Sequence, residues 1–473
     1  MLPVYQQLYG TIYYVSNNGN DDNNGQSPSS AWKTIDKLNS LLYEFNPGDV
    51  ILFERGDLFR GNLEPAPGNS GNWIKYSSYG SGGKPILSGS IQLNSSADWI
   101  SHNSHIWRTS FDSDSDLGAL FMNGDNSAIG ERKWAISDLS GNGDFYFDPS
   151  GNDKKLYLYC NSGSPEQCYS DIEASVKREI VNLDSRSYIL FEGLHLTGGA
   201  AHGFGGSDTS HIIIRNCDFS YIGGGFLHMD GLHPVRYGNG IEFWGNGDHN
   251  LVDGNRFWEI YDTAVTNQNH TMTSRQEYIY YINNIIWNCG LASFELWNRP
   301  SSSILQHIYF LNNTSVNPGF GWGGAEHRPD KNSFHIASYY NEAEGSDLVI
   351  KNNIFYSSEL PPGSDHHLFF YDENVNGGYN KYIIDNNLWQ MPNPLWMIAP
   401  SSGYSDFSQW QNTNNQSSNG FVGDPLFVDF NNNDFSLSSF SPAIDRGVEC
   451  LRQSDFNGNM TLGIPDMGAI EFQ

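Results

Sequence analysis

The chain has 473 residues, with 25 Lys+Arg against 53 Asp+Glu and a formal net charge of -28. That acidity excludes a nucleic-acid partner, which needs clustered Lys and Arg. It says little about substrate, because acidic surface also serves plain solubility. With 50 Gly, 14% aromatics and only 16% charged residues, the composition disfavours helix and favours strands joined by many turns. No apolar run is long enough for a membrane helix, so no membrane partner is expected.

The opening stretch, MLPVYQQLYGTIYYVS, lacks a charged segment followed by an apolar one and does not read as a signal peptide. Residues 10–87 are assigned to an N-terminal cap and first coils, on a resemblance given below. Residues 88–180 are an irregular β-rich insertion in which WRTSF, ALFMNG, FYFDP and KLYLYCNSG suggest hairpin-like pieces with no catalytic signal. Cys160 and Cys168 flank the loop-like NSGSPEQ, which one disulfide could bridge. Five cysteines rule out a complete intramolecular framework. Cys217 and Cys289 lie in strand-like runs and read as small buried apolar residues. No zinc spacing is present.

From 188 to 390 the chain repeats. YILFEGLHL, HIIIRNCDF, NLVDGNRFW, YIYYINNIIW, HIYFLNNTSV, DLVIKNNIFY and KYIIDNNLW each place a short apolar strand on either side of a turn, taken at Gly193, Asn216, Asn255, Asn284, Asn313, Asn353 and Asn387. Successive intervals are 23, 39, 29, 29, 40 and 34, periods that mean a stacked array. The alternating Val/Ile/Leu/Tyr/Phe pattern makes the unit a strand rather than a helix. Asn and Gly tolerate left-handed backbone angles at corners, and stacked Asn side chains are expected to form a ladder. A sandwich or propeller would show tight hairpin signals and a more even period. The expected fold is therefore all-β: a single right-handed parallel β-helix over 1–473, with central coils at 188–390 and closing coils and a C-terminal cap at 391–473.

YYVSNNGNDDNNGQSPSSAWKTIDKLNS, NPGDVILFERGDLFRGNLEP and YGSGGKPILSGS resemble the N-terminal part of secreted bacterial β-helix proteins of the pectate-lyase-like superfamily, which holds polysaccharide lyases and glycoside hydrolases. DPLFVDFNNNDFSLSSFSPAIDRG, DFNGN and PDMGAIEF resemble its closing coils. The resemblance implies a short helix opened by WKTI that caps the first coil. It also implies a secreted or periplasmic protein, with the signal peptide absent from this sequence. It implies an activity on carbohydrate, but function on a shared fold must be argued from a site.

Chemistry concentrates between Gly223 and Asp330. The loop GGGFLHMDGLHPVRYGNG carries His228, Asp230, His233, Arg236 and Tyr237. GIEFWG carries Glu242 and Trp244, and YDTAVTNQNHTMTSR carries Asp262, Asn267, His270 and Arg275. ASFELWNR and GFGWGGAEHRPDK supply Glu295, Trp297, Arg299, Trp322, Glu326, His327, Arg328 and Asp330. Counting eleven from the turn Asn aligns Thr266, Glu295 and Gly324, and the likeness of GIEFW to SFELW puts Glu242 in that column. Two coils then separate Glu242 from Glu295, roughly 9–10 Å. That is at the upper edge for an inverting glycosidase. Asp262 could replace either glutamate. The tryptophans are core aromatics or sugar platforms, with Trp297 the best placed for stacking.

The candidate catalytic residues are thus Glu242, Glu295 and Asp262. The candidate substrate-binding residues are His228, Arg236, His270, Trp297, Arg299, Glu326, His327 and Arg328. The local His/Arg content points to an anionic polysaccharide, uronate-containing or sulfated. A glycoside hydrolase with paired carboxylates is the first expectation. A lyase using His and Arg is the second, and a non-catalytic glycan-binding solenoid the third. No cofactor is required and no metal-ligand set is assigned, although DDNNG at Asp21–Gly25 could hold a structural Ca²⁺ or be an ordinary turn. A monomer acting on poly- or oligosaccharide is expected.

Overall fold

A computed structural model describes Pro3 and residues 10–110, 116–150, 154–324, 333–364, 367–373, 381–396, 403–451, 454–461 and 463–473. Each coil lays down three strands. In the coil carrying Glu242 these are Ile241–Asp248, Leu251–Asp253 and Arg256–Ile260. The next coils follow with Thr263–Asn269, Arg275–Ile282 and Ile285–Trp287, then Ala292–Asn298, Ile304–Leu311 and Thr314–Val316. Strands stack in parallel on three faces. The first two faces share one bent 17-stranded sheet, and the third is a 10-stranded sheet. Alternation decides which side chains go in: Ile241 and Phe243 join the central core while Glu242 and Trp244 point outward. Aromatic rings stack along the core, as in Phe219 on Phe257 at 4.5 Å and Phe355 on Trp389 at 4.2 Å.

The corner between the second and third faces divides its work between two columns. Gly193, Asn216, Gly254, Asn283, Asn312, Asn352 and Asn386 take the left-handed conformation, with φ between 50° and 70°. The following residues, Leu194, Cys217, Asn255, Asn284, Asn313, Asn353 and Asn387, form the inner column. There each Asn side chain donates to the next, Asn255 to Asn284 at 3.0 Å and Asn284 to Asn313 at 3.0 Å. Each also accepts a backbone N–H, as Asn313 Oδ1 does from Asn284 N at 2.9 Å. The ladder expected from sequence is present, but it is not made by the left-handed residues. Gly193 and Asn216 belong to one column and the five later turn residues to the other, which is why the sequence spacing of 39 becomes 38 once a single column is followed (from 216 to 254, or 217 to 255).

At the N-terminal end the helix Ile35–Ser40, capped by Thr34, buries Ile35 and Leu38 on the first coil. This covers apolar surface that a terminal coil would expose. The segment between the first coils forms two four-stranded antiparallel sheets with their own core. One contains Leu117–Met122 and Ile172–Val176, the other Phe145–Asp148 and Lys155–Tyr159. Cys160 and Cys168 meet there as free thiols rather than as a disulfide. Cys160 is buried, and the Cys168 Sγ turns to the Gly163 carbonyl at 3.7 Å. Cys217 and Cys289 are buried in the solenoid core.

The far end is closed by the helix Phe407–Asn414, whose Trp410 is fully buried. Beyond Gly423 the chain adds no further coil. It runs back over the third face, packing Phe427, Phe435, Met467 and Ala469 against Ile285, Val316, Ile354 and Leu388. The left-handed Asn column fastens it: Asn352 Nδ2 donates to Val448 O at 2.7 Å and Asn283 Nδ2 to Ser454 O at 2.8 Å.

Candidate active site

The pairing register aligns Gly205, Glu242, Thr266, Glu295 and Ala337 on the outer side of the first face. Glu242 and Glu295 thus share a column two coils apart, as expected. Gly324 does not join it. It lies in the short helix Gly321–Gly324, because a corner insertion displaces the count and delivers Ala337 instead.

Glu242 is almost fully buried. Its Oε2 accepts from Asn239 Nδ2 at 2.9 Å, and its Oε1 lies 3.2 Å from His202 Nε2. The Asn239 backbone N–H donates to His202 Nδ1 at 3.1 Å, so the imidazole presents Nε2–H to the carboxyl. Burial raises the Glu242 pKa above the usual carboxylate value; His202 and Asn239 pull against it, and Glu179 and Asp262 add to it. Glu295 is also buried, accepting from Thr266 Oγ1 at 3.1 Å and Gln268 Nε2 at 2.7 Å. Asp262 sits at the corner leading into Thr263–Asn269, one coil above Glu242, and is within electrostatic reach of it.

A cavity of about 300 Å³ opens below Glu242, walled by Glu179, Asn182, Asp184, His202, Gly205, Ser207 and Trp244. It exists because position 205 has no side chain: a Cβ there would lie 2.7 Å from Glu179 Cγ and 3.1 Å from His202 Cδ2. Among the described residues Glu295 is not on its wall. Glu179 and His202 escaped the sequence reading. The signal that would have found them is the column itself, continued one coil down to AHGFGG, where two glycines replace outward and inward side chains.

A second outward column carries Trp244, Gln268 and Trp297. Trp244 and Trp297 meet edge to face at 6.3 Å, and His270 lies against Trp297 at 5.2 Å. Arg299 Nη1 donates to His270 Nε2 at 2.8 Å and its guanidinium covers Tyr340 at 4.6 Å. His270, Trp297 and Arg299 therefore form one cluster beside the glutamate column. Arg236 does not belong to it. Its guanidinium is buried at the base of the hairpin Gly225–Asp230/His233–Tyr237, donates to the Gly224 and Gly118 carbonyls at 2.7 Å and stacks on Tyr261 at 4.5 Å. That is an architectural role, holding the hairpin to the insertion. His228 is exposed on that hairpin. Arg275 pairs with Glu277, and Trp322 is tied to Glu259 and Tyr261. Glu326, His327 and Arg328 lie outside the described residues.

Among the described residues no group of three or more His, Cys, Asp or Glu could hold a metal ion. Asp21 in the DDNNG turn accepts from the N–H groups of Lys33 and Thr34 and from the Thr34 hydroxyl. Among the described residues no helix is long and apolar enough to cross a membrane.

No family model matches the chain. Over 84 residues, 16% of this chain, it is 37% identical to a lacto-N-biosidase of Bifidobacterium longum subsp. longum, spanning only 5% of that protein. The complex of XylC with xylose superimposes on 80% of this chain and 65% of its own, with a TM-score of 0.51 and 14% identity. The chain therefore spans less than two thirds of both these proteins. Pectate lyase Pel9A matches over 98% of this chain and 96% of its own, at a TM-score of 0.49 and 15% identity. The fold is that of the right-handed parallel β-helix proteins.

Proposed function

We propose that this β-helix is a carbohydrate-active enzyme, and specifically a glycoside hydrolase in which Glu242 is the general acid. The observation that carries the reading is the buried Glu242 carboxyl, raised in pKa and opening on a cavity that Trp244 also lines. A carboxyl whose protonated form is favoured by burial suits protonation of a leaving glycosidic oxygen. A second carboxylate must activate water or attack the sugar. Glu179 fits that role: it faces the same cavity across the Gly205 gap and is electrostatically coupled to Glu242. The likeness to a lacto-N-biosidase over 84 residues supports a glycan substrate.

The charge of the cavity bears on the substrate. Glu179, Asp184 and Glu242 surround it, so the sugar at the cleavage position is neutral; an anionic sugar there would meet carboxylates. An anionic substituent has its place at Arg299, which among the described residues bonds to His270.

The test is digestion of a panel of neutral, uronate-containing and sulfated glycans, following both new reducing ends and ultraviolet absorbance of unsaturated uronate. Reducing ends without absorbance are expected. A rise in absorbance makes the protein a lyase and overturns the assignment of Glu242. Glu242→Gln and Glu179→Gln should each abolish cleavage. Loss in Glu295→Gln with full activity in Glu179→Gln would move the base to Glu295.

A further inference from the structure

A larger cavity, about 540 Å³, lies between the insertion and the hairpin Gly225–Asp230/His233–Tyr237. Trp134, Tyr146, Phe147, Pro149, Phe226 and Met229 give it an apolar wall. Trp134 is 39% exposed, and its ring meets Phe226 at 5.6 Å. Arg132, itself on the cavity wall, lies over that ring with its guanidinium 4.5 Å from the centroid and is anchored in turn on Asp116. The result is a large aromatic surface, half open to solvent and held rigidly. None of the glutamate-column residues contributes to it.

The cavity neighbours the Glu242 site along the chain. Lys177 lines the aromatic cavity and Glu179, two residues on, lines the other. Two residues of chain span at most about 7 Å, and the chain bends at Lys177 and Arg178, so the two linings approach within about one sugar unit. Tyr237 stands between the cavities. The Lys177 ammonium lies 5.2 Å above its ring, and the ring meets His202 at 5.3 Å, the histidine that holds Glu242.

We propose that this aromatic cavity is a second sugar-binding subsite, taking pyranose units of the same glycan whose neighbouring linkage lies at Glu242. The axial C–H face of a pyranose stacks on Trp134 and Phe226, and Lys177 donates to ring hydroxyls at the junction. The volume is in the usual range for small-ligand sites, which combine apolar and aromatic walls with placed polar groups; here Asp116, Arg132, Lys154 and Lys177 supply the polar groups. The proposal rests on the Glu242 reading for the direction of the chain, but its binding step stands apart from cleavage.

The experiment uses full-length protein carrying Glu242→Gln, which cannot turn substrate over, titrated with oligosaccharides of two to six units made from whichever glycan the wild type degrades. Affinity should rise with length. Trp134→Ala should weaken binding of the longer ligands about tenfold while leaving the disaccharide unchanged, and Trp134→Phe should restore it. Equal affinity of Trp134→Ala and its parent at every length overturns the subsite. If no glycan is degraded, the same variants are compared by gel retardation on the panel. Retardation that depends on Trp134 then supports the subsite while the hydrolase reading falls, and retardation independent of Trp134 overturns the subsite.

Discussion

Glu242 is held by two donors and one cavity, and each can be perturbed separately. Glu242→Gln should take kcat below detection, a positioned general acid being worth about 10²–10⁴-fold. Because the acid must be protonated, activity should fall as pH rises through the raised Glu242 pKa. Replacing His202 by Asn removes an interaction that favours the ionised form, so this alkaline limb should move to higher pH in a kcat/KM profile. The same shift has a stability consequence. Between the ordinary value of 4.5 and the raised folded value, the folded protein binds a proton that the unfolded chain releases, so stability present below 4.5 is lost as pH climbs through that window. Gln has no such loss. Glu242→Gln should therefore melt higher than wild type near pH 8 and gain nothing near pH 4, read by calorimetry. Gly205→Ala should push Glu179 and the buried His202 aside, raising KM steeply and lowering Tm. Glu242 was legible in sequence because GIEFW and SFELW share a pattern. Glu179 and His202 were not, because only coil register brings them to it. Arg236 was misjudged for the reverse reason: an arginine among histidines resembles an anion site until its guanidinium is seen to be used on backbone carbonyls.

At the scale of the coil corner, repeated Asn-Asn pairs are two residues with two tasks. The inner Asn284 bridges Asn255, Val252 and Asn313. Asn284→Ala orphans the buried Asn255 N–H and should cost about 2–3 kcal/mol in denaturant unfolding. The outer Asn283 needs only φ of 57° and bonds to Asp253 and Ser454. Asn283→Gly keeps the conformation and should cost about 1 kcal/mol. Equal costs would show that the ladder is not the stabilising element. The repeat itself was readable from apolar periodicity. Which Asn turned and which bonded was not, since adjacent identical residues carry no sign of direction in sequence. Gly324 failed for a related reason: a fixed count cannot see an insertion at a corner.

For the molecule as a whole, the solenoid and its central coils follow from patterns visible in the chain and the N-terminal helix from the family resemblance, whereas the helix Phe407–Asn414 was not foreseen. The path of the last fifty residues does not. Short strands after Gly423 look like further coils, but their apolar residues cover the outside of the third face. Truncation after Gly423 should leave the parallel coils folded, as expected for an array stabilised by nearest neighbours. It should bare Trp287, Ile285, Val316 and Ile354, lowering Tm and raising binding of a hydrophobic dye.

That returning tail makes the solenoid's length a fixed quantity. Carbonyls of the tail meet Asn352 and Asn283 at set heights along the stack, so the tail acts as a gauge laid against the coils. Duplicating or deleting one coil would carry every anchor past its partner by one rung. A lineage in which the number of coils varies would have to redesign its last fifty residues each time, whereas the glutamate column lies on a different face from the one the described tail residues pack on and can change separately. Substrate range and coil number are thus under separate constraint in this architecture.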